Sequence, residues 1–69
     1  MKLSARNQLK GTIVEVQEGA VNAIVKINVG NDNILTADIT VQSVKDLGLV
    51  VGKEVVAVIK STSVMVGVE

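Results

Sequence analysis

A chain of 69 residues forms one domain at most, and a fold of that size hides only ~60% of the surface its unfolded form exposes. With no Cys and no His there can be no disulfide, no soft-metal site and no Ser-His-Asp or Cys-His catalytic set, and with no Trp, Tyr or Phe there is no platform for stacking bases. Seven basic and seven acidic residues give zero net charge, which argues against polyphosphates and anionic membranes as partners and leaves oligomerisation as the supplement to a small core.

The chain carries 15 Val, 6 Ile and 4 Thr, so 25 of 69 residues are β-branched, a composition that suits pleated strands better than helices. Gln8 to Gln17 (QLKGTIVEVQ) reads as a first strand ending at Glu18-Gly19, with Gly11 marking a bend or bulge. Val21, Ala23, Val25, Ile27 and Val29 alternate with Asn22, Ile24, Lys26 and Asn28, the cleanest two-residue period in the chain and a second strand. Gly30-Asn31-Asp32-Asn33 supplies residues that tolerate positive φ, so Ile34 to Ile39 returns as the third strand of a hairpin.

At Thr40 the period changes. Val41, Val44 and Leu47 stand at helical spacing after a hydroxyl N-cap and before Gly48, which predicts one short helix. Val50 to Lys53 reads as a turn, Glu54 to Lys60 as strand four and Val64 to Val68 as strand five. Five strands with a helix between the third and fourth give an all-β, OB-type Greek-key barrel. Strand four is apolar on both faces, Val56 and Val58 on one and Val55, Ala57 and Ile59 on the other, and only one face fits inside a small barrel. The other is expected to meet a second subunit, the alternative being a cover supplied by the helix or a loop of the same chain. No run approaches the ~20 apolar residues of a membrane span, and Met1-Lys2-Leu3 leads into polar residues rather than a signal-peptide core, so a cytoplasmic location is expected.

Site chemistry is limited to hydroxyls, amides and a few cations. Thr40 and Ser43, three apart at a helix start, can present hydroxyls to an anion, although most capped helices bind nothing and a plain N-cap accounts for the spacing. Lys60-Ser61-Thr62-Ser63 offers hydroxyls, an ammonium and successive amides, and also the composition of an ordinary turn. Ser4-Ala5-Arg6-Asn7 holds the only Arg, whose fork matches oxyanions but which near a terminus is usually solvated.

Three blocks bring these signals together: SARNQLKGTI at Ser4 to Ile13, I-T-x-x-S-x-x-x-L-G-L at Ile39 to Leu49, and G-K-E-V-x-A-x-I-K-S-T at Gly52 to Thr62. They closely resemble the molbindins, small cytoplasmic molybdate-binding proteins whose domain, of the Mop or TOBE type, also occurs in molybdate-responsive regulators and transporter ATPases. The resemblance covers nearly the whole chain, residues 1 to 69 as a single domain, and no DNA-binding or ATPase segment accompanies it. It implies an oxyanion site on Ser4, Ala5, Arg6, Lys60 and Ser61, completed by Thr40 and Ser43 of a neighbouring subunit, with Arg6 and Lys60 acting through main-chain amides. It implies a hexamer built as a trimer of dimers, molybdate or tungstate as ligand, no further cofactor and no enzymatic activity. A second oxyanion site near a threefold axis is expected at Gly19, Ala20, Val21 and Asn22, where an ordinary hairpin turn fits nearly as well. Two other functions compete: an OB-type nucleic-acid module, which the missing aromatics and balanced charge oppose, and a purely structural oligomerisation module, which leaves the SARN block unexplained.

Overall fold

The computed structural model describes residues 1–69. Four strands, β1 (Asn7–Glu18), β2 (Asn22–Asn28), β3 (Ile34–Thr40) and β4 (Glu54–Ile59), form one antiparallel sheet in the order β3-β2-β1-β4, with a single helix, α1 (Val41–Leu47), between β3 and β4. β1 is shared along its length. Its first half pairs with β4, from Asn7↔Ile59 to Thr12↔Glu54, and its second half with β2, from Thr12↔Asn28 to Glu18↔Ala23. This exchange of partners curls the sheet.

The bulge expected at Gly11 falls three residues later, at Val14, where the register slips between Ile13 and Glu15. Gly11 serves a different purpose: a Cβ there would lie 2.6 Å from the carbonyl oxygen of Asn28 and 2.7 Å from Ile27 Cγ2, so a side chain would force β1 and β2 apart. The β2–β3 hairpin forms as its turn residues require, with Gly30, Asn31 and Asp32 all at positive φ.

Alternation selects the core. Ala23, Val25 and Ile27 of β2 are buried on one face and meet Ile13 of β1, Ala57 of β4 and Val44 of α1. These six are the only fully buried residues among 69, and none is polar. Across β4 the two faces separate as their alternation requires: Ala57 is buried with Val55 and Ile59 partly covered, while Val56 and Val58 remain 37% and 45% exposed.

The fifth strand is absent. Ser61–Ser63 forms a short 3-10 turn, held by Ser63 N–H donating to Lys60 O at 2.9 Å, and the chain beyond it pairs with no strand. Val64 is extended at φ −90° and ψ 127°, and Met65, Val66 and Val68 are 93%, 89% and 94% exposed. β-branched composition favours an extended backbone, but a neighbouring strand has to supply the ladder, and here none pairs with this segment. The sheet is consequently not a closed five-stranded barrel. Its free edges, β3 and β4, flank an apolar cavity of about 880 Å³ lined by Leu35, Ala37 and Ile39 on one side and Val55, Ala57 and Ile59 on the other.

Candidate oxyanion site

The residues expected to hold an oxyanion fall into two groups at opposite ends of β1. At its start, Asn7 pairs with Ile59, so Ser4-Ala5-Arg6 runs on beside Lys60-Ser61 where both chains leave the sheet. The SARN block and the KST block, fifty residues apart in sequence, thus share one edge of the molecule. Ser4, Arg6, Lys60 and Ser61 are exposed and Ala5 half-buried. The side-chain hydrogen bond in this stretch runs from Gln8 Nε2 to Ala5 O at 2.9 Å, which fixes the strand entry and leaves both serine hydroxyls facing water.

Thr40 and Ser43 lie at the other end. Thr40 pairs with Asn22 in the β2–β3 ladder, next to the Glu18↔Ala23 pair that closes the far end of β1. At ~3.3 Å per residue, the twelve residues of β1 put roughly 40 Å of curled strand between the two groups, far beyond hydrogen-bond reach around one small anion. One chain does not assemble all seven residues.

The Thr40 end is built in detail. Thr40 has the extended backbone of an N-cap, and its Oγ1 accepts the Ser43 N–H at 3.0 Å while its hydroxyl donates to Ser43 Oγ at 2.8 Å. The hydroxyl–hydroxyl bond uses one proton of the pair, and since either hydroxyl can rotate to be the donor in it, the other keeps its proton to donate outward. At the opposite terminus Gly48 takes φ 61°, its N–H donating to Lys45 O and that of Leu49 to Val44 O, which closes the helix.

The second candidate group, Gly19, Ala20, Val21 and Asn22, adjoins Thr40 rather than standing apart from it. Val41 N–H donates to Val21 O at 2.7 Å, and Asn22 is the ladder partner of Thr40. Within this turn Gly19 N–H donates to Asn22 O at 2.8 Å, so that amide is engaged internally. The approach leaves no room for a side chain: a Cβ on Gly19 would sit 2.9 Å from the same oxygen.

Known proteins share this fold. The TOBE domain model matches residues 3–66. A probable molybdenum-pterin-binding protein of Haemophilus influenzae is 58% identical over 69 residues, the full length of both chains. The chain belongs to the molbindin (Mop) family. Among solved structures, an apo form of MopII from Clostridium pasteurianum superposes with a TM-score of 0.90 at 43% identity, covering 97% of this chain and 100% of that one. ModG, described as a cytoplasmic molybdate-binding protein and solved with molybdate bound, matches with a TM-score of 0.84 at 52% identity, over 88% of this chain and 43% of its own. These molbindin relatives are binding proteins by name, and no helix of this chain is long and apolar enough to cross a membrane.

Reading the sequence missed one residue at the helix. Lys53 Nζ donates to Leu47 O at 2.7 Å and Gly48 O at 3.2 Å, reaching from the start of β4 back to the end of α1. A lysine five positions after a glycine C-cap is a signal of this contact only when the intervening turn folds back, and that depends on Gly52 at φ 93°.

Proposed function

We propose that this protein binds molybdate, and tungstate with it, at interfaces between copies of itself, as a cytoplasmic molybdenum store rather than as an enzyme. One observation carries the reading: the two residue groups lie at opposite ends of the β1 ladder, so a complete ligand shell requires Ser4, Ala5, Arg6, Lys60 and Ser61 from one copy with Thr40 and Ser43 from another. The shell consists of hydroxyls and amides with little net charge, which suits a dianion. Because such a shell offers donors only, it disfavours partly protonated phosphate, and a cavity sized for long metal–oxygen bonds holds sulfate loosely. Molybdate and tungstate, both fully deprotonated tetrahedra at neutral pH, are hardly distinguished.

The unpaired C-terminal segment and the open apolar cavity support self-association. Residues 64–68 of one copy, exposed and mostly apolar, match in character the apolar cavity between β3 and β4 of another, and seating there as a strand would complete a five-stranded barrel of the OB type. Val56 and Val58 add a second apolar surface, as a trimer of dimers requires. In this reading residues 1–69 form a single TOBE-type domain, and Gly19, Ala20, Val21 and Asn22 belong to a second class of site on the threefold axis.

Equilibrium dialysis with molybdate, tungstate, sulfate and phosphate, on protein whose mass is fixed by sedimentation equilibrium, tests ligand class and assembly together. Binding of the first two oxyanions by a hexamer is expected. A 7 kDa species at micromolar concentration, or equal binding of all four anions, overturns the reading.

A further inference from the structure

The C-terminus of α1 is held by more than its own backbone. The paired bonds from Gly48 and Leu49 satisfy the Lys45 and Val44 carbonyls, and the Leu47 carbonyl, which that motif leaves free, receives the Lys53 ammonium at 2.7 Å. The same ammonium reaches Gly48 O at 3.2 Å, and a Cβ on Gly48 would lie only 3.4 Å from Nζ. The main chain of Lys53 is anchored in turn: Ile13 N–H donates to Lys53 O at 3.0 Å, and Ile13 is 1% exposed at the centre of the core. Lys53 is therefore a strap, on the surface, from a strand anchored in the core to the end of the helix. The other anchors of α1, the buried Val44, the half-buried Val41 and the Val41 N–H on Val21 O, all lie in its first four residues, so Lys53 is the side chain that holds its far end.

We infer that Lys53 is a positioning residue for the oxyanion site, fixing the pitch of α1 and through it the Thr40–Ser43 hydroxyl pair at the opposite end. This rests on the assignment of Thr40 and Ser43 to that site. Two turns of helix behave as one body, so a tilt permitted at Leu47 displaces Ser43 relative to Thr40, which β3 holds independently. The hydroxyl geometry, set by contacts of 2.8 and 3.0 Å, is then lost even though no ligand-facing atom has been removed. The charge of the ammonium reaches that pair only weakly. Seven helical residues span about 10 Å, comparable to the screening length of physiological salt.

A double-mutant cycle on the assembled protein separates these possibilities, with molybdate affinity measured by equilibrium dialysis at two ionic strengths for the parent, K53M, K53R, T40V and K53M/T40V. K53M, which keeps the stem but loses the donors, is expected to weaken binding roughly threefold or more, and K53R to restore most of it. In the T40V background, adding K53M should cost nothing further, because the pair it positions is already broken. Parent affinity in K53M overturns the inference while T40V still binds weakly. A loss of the same size in both backgrounds, fading at high salt, also overturns it by assigning Lys53 a purely electrostatic role. Parent affinity in T40V instead removes Thr40 from the site, and the inference falls with it. Should K53M fail to assemble, K53Q, which retains a donor without charge, replaces it in the cycle with the same criteria.

Discussion

The two ends of β1 carry the two halves of one candidate site and are organised in opposite ways. At the Thr40 end the backbone is closed by a cap, a ladder pair and a turn contact, and both hydroxyls are already oriented by each other. At the Ser4 and Lys60 end the strands simply run out, the hydroxyls face water, and only Gln8 bonds back to the entry. A preformed half loses little freedom when an anion arrives, whereas the open half must be ordered by a neighbour or by the ligand. Such a pairing makes binding depend on assembly first and on local geometry second.

The largest expected effect follows from removing what orders the open half. Deleting residues 64–69 takes away the exposed Met65, Val66 and Val68 but none of the seven candidate ligands. If the open end is organised by a second copy, the deletion should lower the sedimentation mass and abolish molybdate binding together. A truncated chain that keeps both its mass and its affinity would show that the open half orders itself.

Substitution at Gly11 sharpens the comparison from the middle of the molecule, where β1 passes from one strand partner to the other. In Gly11→Ala the new Cβ meets the Asn28 carbonyl at 2.6 Å, a backbone atom that moves only with its strand. Overpacking of this kind costs about 1–3 kcal/mol, and for a fold this small each kcal/mol lowers Tm by ~4–8 °C. Melting by circular dichroism checks it; a Tm within about 2 °C of the parent would mean the seam adapts. The loss should be present with or without molybdate, because Gly11 belongs to neither half.

Local grammar was legible in the sequence, and connections between chains were not. The helix from Thr40 to Gly48 and the Gly30–Asn33 turn follow from capping and positive-φ chemistry, which depend on neighbours a few residues away. The face assignment of β4 followed from alternation alone. The fifth strand was misplaced because Val64–Val68 has strand composition, while pairing is a tertiary event that composition does not guarantee, and neither free edge of the sheet takes the segment up. The bulge was assigned to Gly11 because glycine is its commonest marker, yet Val14 bulges and Gly11 serves close approach. The adjacency of Thr40 to Asn22, which joins the two candidate oxyanion groups, is a register fact that no local pattern announces.

Thr40→Val tests the built half with a smaller expected effect. Valine keeps the shape and removes the hydroxyl that accepts from Ser43 N and donates to Ser43 Oγ, so loss of the cap lowers stability by about 1 kcal/mol in the absence of ligand. Ligation adds a second signature. A ligand confined to the folded state stabilises it in proportion to ln(1 + [L]/Kd), so the molybdate-induced rise in Tm should shrink as well. Ser43→Ala should shrink that rise with a smaller change in the ligand-free baseline, since the hydroxyl of Ser43 caps no amide. An undiminished rise in both variants would reduce this end to a helix cap.

The smallest effect belongs to the one residue that charge alone would rank first. Arg6 is the only arginine, beside Lys60 at the open end, and its exposed side chain makes no ion pair with the chain, the one ion pair being Lys26 with Glu15 at 3.9 Å. If the open half binds through main-chain amides, Arg6→Ala keeps the relevant donor and should change molybdate affinity by less than about threefold, with only a modest decrease in salt sensitivity. Ser4→Ala removes a hydroxyl donor at the same edge and should cost about tenfold, the scale of one hydrogen bond to a charged partner. Dialysis of the two variants in parallel gives the order directly. The reverse order, with Arg6→Ala abolishing binding and Ser4→Ala neutral, would mean that a guanidinium holds the anion, and the open end would then be an electrostatic clamp rather than an unfinished cradle of hydroxyls and amides.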